Sequence, residues 1–287
     1  MKMQFQRQIF TWLLAVLFLI YPVRAQIQND QTADYLGPIG GSQLWTPLNL
    51  GSTLVAWWDA QYTPNLTFNG SNISAWTDRQ SGIVASQGTG ANQPGWSGTA
   101  RNGKAGLTFN GSSQQLSFGS NTLPTGTNAS FMAVAAFTSA SGNFEGAVSY
   151  GTAAAGQLRL LGRYNTNNAY VSIGNTDLVN GSWLSTDAFL EGAWSSVTQS
   201  EWLDGTAFGP SAATFNTVGN SGNIGSDIGA ILFNGTIQQV VGMNVVPSTC
   251  QRQKLEGWES WYDGKAGSNL PSNHPYKSAA PTVGGSC

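Results

Sequence analysis

The chain has 287 residues, a formal net charge of −2 at pH 7 and only 9% charged side chains, whereas glycine alone contributes 36 residues. Such a composition is typical of an extracellular β protein whose surface consists of turns and uncharged polar groups. Because no stripe of Lys and Arg is present to neutralise phosphates, we expect no nucleic-acid partner.

The first 25 residues predict a secretory signal, because Lys2 and Arg7 precede an uncharged apolar run that ends in Val-Arg-Ala. The uncharged stretch between Arg7 and Arg24 is 16 residues long, shorter than the roughly 20 that a membrane-spanning helix needs. We therefore expect export and cleavage after Ala25, with retention as a short membrane anchor as the alternative. Cleavage would leave 9 basic and 14 acidic side chains, a net charge of −5.

Residues 26–50 lack a sustained period and contain Gly-Pro and Gly-Gly breaks. This pattern predicts a linker that docks on the domain through Trp45. The apolar runs that follow predict one domain over residues 51–281 and a short C-terminal tail, 282–287.

Turn signals recur between these apolar runs. Five Asn-Gly pairs and the pair Asp204-Gly205 tolerate the positive φ angles that tight hairpins require. The regular spacing of short apolar stretches between turns favours a single antiparallel β-sandwich.

Alternation within two of the runs predicts which faces are buried. In LVAWWDA, residues 54–60, Trp57 points to one face of a strand while Leu54 and Trp58 point to the other. The run FMAVAAF, residues 131–137, is apolar on both faces, which predicts a central strand that is covered on both sides.

One helix is predicted within PSTCQRQKLEGWESWYDG, residues 247–264. Ser248 with Gln251 forms a capping-box pattern, and Asp263-Gly264 ends the helix. An apolar stripe is expected to dock on the sheet; it consists of Leu255, Trp258, Trp261 and Tyr262. We expect the two helical glutamates, Glu256 and Glu259, to lie on the solvated side.

Several segments together resemble the laminin-G-like jelly-roll domains of the concanavalin A-like lectin/glucanase superfamily. They are LVAWWDAQ (54–61), SAWTDRQSG (74–82), NQPGWSGTARNGKAGLTFNGSSQQLSF (92–118), FNGTIQQVVGMNVVPSTCQRQKLEGWESWYDG (233–264) and LPSNHPYKSAAP (270–281). The resemblance implies an all-β, antiparallel jelly-roll β-sandwich with one short C-terminal helix. It also implies a role found in secreted adhesins, carbohydrate-binding appendages of enzymes, or phage fibres and other virion proteins. It implies no shared catalytic set.

The two cysteines, Cys250 and Cys287, would both be exported. A disulfide between them would close a loop of 37 residues and contribute roughly 3 to 4 kcal/mol in the chain-entropy model. A buried Cys250 with a free terminal thiol at Cys287 is the alternative.

The inventory of residues gives little support to catalysis. A glycosidase needs two carboxylates flanking the scissile bond, yet the closest pair on a strand, Glu201 and Asp204, is three residues apart and faces opposite ways. A lyase base at Tyr164 would point away from the adjacent Arg163. The only histidine, His274, lies close to two prolines in a segment expected to close the fold as a strap.

Calcium is the metal that the sequence allows, because Asp59, Asp78 and Asp227 could supply hard oxygen ligands from loops. The alternative is that the first two hydrogen-bond to local backbone at strand ends. We expect no other cofactor.

Glycan binding requires aromatic faces with amide groups beside them on loops. Such residues occur in RYNTNNAY (163–170) and NGSWLSTD (180–187). The candidates are Tyr164, Asn167, Asn168, Tyr170 and Trp183. Packing in the core or at its rim is the alternative for each aromatic residue.

Together these observations predict a secreted or cell-surface, non-catalytic domain whose partner is a polysaccharide or a cell-surface glycan. A membrane would be a partner only if residues 1–25 are retained. A phage virion or fibre protein with a role in host attachment is one alternative, and a polysaccharide-cleaving enzyme, glycosidase or lyase, is the other. The sequence predicts neither the glycan nor the oligomeric state.

Overall fold

The computed structural model describes residues 42–120, 122–138, 144–164, 168–172, 177–180, 188–219, 221–228 and 231–287. The predicted signal, 1–25, and most of the predicted linker therefore lie outside the described residues. The strands are β1 Leu54–Asp59, β2 Leu66–Asn69, β3 Asn72–Thr77, β4 Val84–Ser86, β5 Gly95–Arg101, β6 Lys104–Asn110, β7 Leu116–Phe118, β8 Ala129–Phe137, β9 Phe144–Gly151, β10 Leu158–Tyr164, β11 Asn168–Ser172, β12 Asp177–Asn180, β13 Ala188–Trp194, β14 Thr198–Leu203, β15 Thr206–Ala212, β16 Gly222–Ile224, β17 Ser226–Asp227, β18 Ile231–Leu232 and β19 Asn234–Met243; the helix is α1 Thr249–Tyr262.

The strands form two series of antiparallel neighbours. The helix-side series runs β15-β14-β13-β8-β19-β1, and β6 pairs with the first half of β19. The opposite series runs β2-β3-β4-β7-β16-β9-β10-β11-β12. The β5–β6 hairpin joins them, because β5 also pairs with β3 at Asn72 and Gly95. The result is one hydrogen-bonded network in a nearly closed, barrel-like arrangement.

The main core lies between the two series. Trp58 of β1 contacts Phe118 of β7 at 5.2 Å between ring centroids. Both faces of β8 are buried, with Ala133 in the main core and Val134 beneath the helix. This confirms the prediction that residues 131–137 form a central strand covered on both sides.

The predicted alternation in β1 is correct from Ala56 onward and wrong at Leu54 and Val55. Trp58 belongs to the main core and Trp57 to the layer beneath the helix. Leu54 lies on the same side as Trp57, contrary to the prediction, because the register shifts between Leu54 and Ala56. Such a bulge inserts one residue and reverses the faces of those before it.

The helix α1 begins as its sequence predicts. Gln251 N–H donates to Ser248 Oγ at 3.3 Å, and Ser248 N–H donates to Gln251 Oε1 at 3.0 Å, which completes the capping box. The ring of Trp258 meets Trp57 of β1 edge to face, at 5.3 Å between centroids. Three residues of the apolar stripe therefore dock on the helix-side series as expected, namely Leu255, Trp258 and Tyr262, whereas Trp261 bonds to Tyr276 of the strap.

The expectation that Glu256 and Glu259 are solvated is wrong, since both are 0% exposed. Residues 265–287, which we call the C-terminal strap, pack against α1, and His274 of the strap contacts Glu256. Glu259 is instead buried close to Asp59 of β1 and Glu191 of β13. A β-carbon built at Gly257 would lie 2.5 Å from Tyr276 Cβ, so the strap is in close contact with the helix. The helix thus lies between two layers, and its periodicity alone does not reveal the second one.

The ends of the strap are fixed at two places. Cys250, in the first turn of α1, forms a disulfide with Cys287, with 5.4 Å between Cα atoms. The predicted bridge is therefore confirmed. Trp45 is buried, and its backbone N–H donates to Pro281 O at 2.9 Å.

The fold class is thus partly as expected. The all-β antiparallel architecture and the short C-terminal helix are confirmed. A jelly-roll sandwich of two separate sheets is not confirmed, because the β5–β6 hairpin carries hydrogen bonds from one series to the other. Within the described part of the chain, no helix is long and apolar enough to cross a membrane.

Candidate functional site

Two of the predicted glycan-binding residues come together on the outer face of the opposite series. Tyr164 and Tyr170 lie 6.0 Å apart, and Phe144 lies 4.7 Å from Tyr164, measured between ring centroids. Tyr170 is only 5% exposed, and its burial, together with the charge of Asp177, raises the pKa of its hydroxyl. This group, the tyrosine cluster, is largely a packing layer on β9, β10 and β11.

Of the other three predicted residues, only Asn168 lies within the described part of the chain. Asn168 is exposed at the start of β11. Asn167 and Trp183 lie outside the described residues.

The three calcium candidates occupy separate places. Asp59 accepts from Arg79 Nη1 at 2.6 Å. Asp78 accepts four backbone N–H groups, from Trp57, Gln80, Ser81 and Ile83. Asp227, on β17, belongs to a different part of the fold. Among the described residues, no group of three or more His, Cys, Asp or Glu side chains could hold a metal ion.

The only histidine takes part in a buried polar group rather than an open site. His274 Nε2 lies 2.9 Å from Glu256 Oε2, and the Tyr276 N–H donates to His274 Nδ1 at 3.2 Å. Because Nδ1 accepts, the ring hydrogen is on Nε2 and is donated to the glutamate. Glu256 also pairs with Arg252 one helical turn earlier. His274 therefore fastens the C-terminal strap to α1, as the sequence led us to expect.

An open cleft of about 390 Å³ lies at the end of α1. We call it the aromatic cleft. It is bounded by the segment before β1, the turn after β1, the start of β6, the last turn of α1 and the strap. Its lining residues are Leu44, Trp45, Thr46, Gln61, Lys104, Trp258, Trp261, Tyr262 and Ala280.

The aromatic rings of this cleft are held in fixed orientations. Trp258 and Tyr262, one helical turn apart, stack at 4.6 Å with 20° between their planes. Trp261 Nε1 donates to the backbone oxygen of Tyr276 at 3.0 Å. Tyr262 Oη donates to Asp59 Oδ2 at 3.0 Å. Rings held in this way lose little side-chain entropy when a ligand binds against them.

A buried polar network lies behind the cleft. Gln61 Nε2 donates to Asp263 Oδ1 at 3.2 Å, and this bond orients an amide that lines the cleft. Glu259 is completely buried beside these groups. Burial raises the pKa of Glu259 well above 4.5, and the nearby charges of Asp263 and Asp59 raise it further. Glu259 is thereby favoured in its protonated form. Burial also raises the pKa of Asp59, and the ion pair with Arg79 opposes this effect.

The aromatic cleft can therefore offer ring faces, an amide, a hydroxyl and one ammonium group to a ligand. Among the described residues, no Asp or Glu lines the cleft. The sequence identified Trp258, Trp261 and Tyr262 only as a docking stripe, although two of them are also partly exposed to the cleft. The sequence did not predict Lys104 and Gln61 as site residues, because no short-range pattern indicates which distant segments meet at the end of a helix.

Comparison with known proteins gives a likeness of fold. No family model matches this sequence, and no curated protein matches it. Among solved structures, the chain is similar to Trypanosoma rangeli sialidase in complex with sialic acid, with a TM-score of 0.56 and 17% identity over 87% of this chain and 40% of the sialidase chain. Another structure of Trypanosoma rangeli sialidase gives a TM-score of 0.52 and 17% identity over 80% of this chain and 37% of that chain. Domain 4 of AbnA, a GH43 extracellular arabinanase from Geobacillus stearothermophilus, gives 0.47 and 9% identity over 68% and 94% of the two chains, and we draw nothing from it.

At 17% identity the likeness to the sialidases establishes a shared fold and no more. The chain spans about two fifths of the sialidase chains, so the likeness concerns only a part of them. A shared fold does not by itself establish the activity or the ligands of this chain.

These comparisons contradict the resemblance to laminin-G-like domains of the concanavalin A-like superfamily. The similar structures with a TM-score above 0.5 are described as sialidases, and no family model matches the chain. The segments that suggested the resemblance consist of strand alternation, Asn-Gly turns and one amphipathic helix. Many antiparallel β proteins share these features, so their order is not specific for one superfamily.

Proposed function

We propose that this protein binds a glycan in the aromatic cleft. The observation that carries the proposal is a concave site of about 390 Å³ in which fixed aromatic rings stand beside Gln61, Thr46 and Lys104. Sugar rings pack their C–H faces on aromatic side chains, while their hydroxyl groups need amide, hydroxyl or charged partners. Ligand sites are commonly of this size and combine apolar walls with a few polar groups.

The tyrosine cluster is a weaker candidate for the same role. Tyr170 is 5% exposed and offers almost no ring face to a sugar. In the aromatic cleft, by contrast, Trp261 and Tyr262 are both partly exposed. The fold shared with a sialidase that was solved with sialic acid supports a glycan as the class of ligand.

We also propose that the protein is exported, on the basis of residues 1–25, and that it acts outside the cell or at a cell surface. Binding there would attach the protein to a polysaccharide without cleaving it. We propose that no cofactor is needed, and calcium is tested below. No observation on the described residues favours a role in a virion.

The test is a glycan array probed with the purified chain, with added calcium and with a chelator. We expect binding under both conditions. Trp261→Ala should weaken the affinity about tenfold, since losing one stacked ring costs on the order of 1 to 1.5 kcal/mol. Tyr164→Ala is the matched control, because it removes a partly exposed ring from the tyrosine cluster and should leave the affinity unchanged. If no glycan binds, or only the Tyr164 variant is affected, the proposal is wrong.

Cleavage of a glycan is the second candidate, favoured by the fold that this chain shares with sialidases. An acid with a raised pKa, Glu259, lies behind the cleft, yet no carboxylate of the described residues lines it. Release of sugar products from a polysaccharide panel, abolished by Glu259→Gln in a folded protein, would favour this candidate over binding alone.

A further inference from the structure

Lys104 occupies a fixed position on the rim of the aromatic cleft. It is the first residue of β6 and follows a tight turn in which Asn102 and Gly103 have φ angles of 48° and 72°. Its ammonium group lies 5.9 Å from the centroid of the Tyr262 ring. Its stem runs beside Gly264, where a built β-carbon would be 3.7 Å from Lys104 Cε. The turn before β6 and the end of α1 therefore position the ammonium group of Lys104 at the cleft.

Among the described residues that line the cleft, Lys104 is the only charged one. Behind its wall, Asp59 is paired with Arg79 at 2.6 Å, and Asp263 accepts a hydrogen bond from Gln61. Glu259, the remaining acid there, is favoured in its protonated form because burial raises its pKa.

The position of Lys104 near the C-terminal end of α1 also stabilises its positive charge. The C-terminal end of a helix carries a partial negative charge, which favours a nearby cation. This interaction makes the ammonium tolerable beside aromatic rings, but it does not satisfy its three donors. A neutral sugar would offer only hydroxyl groups to them, whereas an anionic group would form a charge-assisted hydrogen bond.

We infer that the aromatic cleft selects an anionic glycan, whose carboxylate or sulfate group pairs with Lys104 while its sugar rings pack on Trp261 and Tyr262. This inference rests on the proposed function and assigns its class of ligand. Lys104 is a specificity-determining residue in this scheme, and the aromatic rings supply binding that is common to neutral and charged sugars.

The test compares three oligosaccharides of equal length by calorimetry: an oligogalacturonide, a sulfated oligogalactan and a neutral oligogalactan. We expect at least one anionic ligand to bind about tenfold tighter than the neutral one, and its affinity to fall with added salt. The two anionic arms distinguish a carboxylate from a sulfate.

Lys104→Gln should abolish this preference and its salt dependence while leaving the neutral ligand's affinity unchanged. Lys104→Arg should keep the preference. Lys254→Gln is the matched control, because Lys254 lies on α1 and does not line the cleft.

The outcomes separate the two proposals. Equal affinities for neutral and anionic ligands, all weakened by Trp261→Ala, would overturn the anionic ligand and leave glycan binding in place. A preference that survives Lys104→Gln would also overturn it. Failure of every glycan to bind would overturn both.

Discussion

Glu259 has a completely buried carboxyl group on α1, close to Asp263 and Asp59. Burial raises its pKa well above 4.5, and the neighbouring negative charges raise it further. Between pH 4.5 and the folded-state pKa, the folded protein holds a proton that the unfolded chain releases. Raising the pH through this window therefore lowers the free energy of unfolding. Below pH 4.5 both states are protonated, so the free energy of unfolding no longer changes with pH through this group.

Glu259→Gln should raise the free energy of unfolding at pH 8 by about 1 kcal/mol or more, because each unit of pKa shift corresponds to roughly 1.4 kcal/mol. At pH 4 the substitution should have little effect, since the glutamine resembles the protonated acid. Urea unfolding at the two pH values measures both. Asn168→Ala, at an exposed position that does not titrate, is the control and should change the stability equally at the two pH values. A stabilisation by Glu259→Gln that is equal at both pH values would contradict this account.

At the scale of elements, the contact between α1 and the C-terminal strap depends on a glycine. Only a glycine at position 257 leaves room for Tyr276, since a β-carbon there would lie 2.5 Å from Tyr276 Cβ. In an exposed helix, alanine would be more stable than glycine by about 1 kcal/mol. Here the strap must move to admit the methyl group, and overpacking of this kind costs roughly 1 to 3 kcal/mol.

Gly257→Ala should therefore lower the melting temperature despite its better helix propensity. The measurement is thermal unfolding followed by circular dichroism. Gly88→Ala is the control, because a β-carbon there meets nothing within 4 Å, and it should change the stability by less than about 0.5 kcal/mol. A Gly257→Ala protein as stable as the parent would show that the strap is not closely packed on the helix.

The same elements show which features could be predicted from the sequence. Alternation placed Trp57 and Trp58 on opposite faces, and the capping box located the start of α1, because both are set by contacts within a few residues. Leu54 was placed on the wrong face, since a bulge in pairing with β19 cannot be seen in β1 alone. Glu256 and Glu259 were expected in solvent because the periodicity of a helix does not show its distant polar neighbours. Glu256 contacts His274 of the strap, and Glu259 lies close to Asp59 of β1 and Glu191 of β13.

The candidate site was less predictable than the strands. The tyrosines in RYNTNNAY are visible as an aromatic and amide cluster in one short stretch, but burial of Tyr170 limits their use as a binding face. The aromatic cleft depends on Trp45, Gln61, Lys104 and the end of α1, which lie far apart in the chain. Only the tertiary fold brings such residues together.

At the scale of the molecule, three apolar layers are stacked across the two series. The main core lies between them, a second layer lies beneath α1 and the strap, and the tyrosine cluster forms the third. The disulfide closes the second layer by tying the first turn of α1 to the last residue across 37 positions. A cross-link of this length should stabilise the folded state by about 3 to 4 kcal/mol in the chain-entropy model.

Replacing both cysteines by serine should lower the free energy of unfolding by about that amount and the melting temperature on the order of 10 °C. Differential scanning calorimetry of the oxidised protein, of the reduced protein and of the double variant measures it. Reducing the disulfide of the parent protein should lower its melting temperature by the same amount. The reducing agent should not change the melting temperature of the double variant. Equal stability of the oxidised and reduced parent would contradict a stabilising role.

The two ends of the described chain are bound to each other beside the aromatic cleft. Val283 N–H donates to Gln43 O at 2.7 Å, Trp45 N–H donates to Pro281 O at 2.9 Å, and Leu44 bridges Thr282 between them. Leu44, Trp45 and Ala280 also form part of the cleft wall. Mechanical tension applied through the residues before Ser42 would therefore be borne first by these few hydrogen bonds. A pull strong enough to peel this segment away would remove one wall of the cleft, so that the lifetime of a bound ligand would depend on the direction of the load.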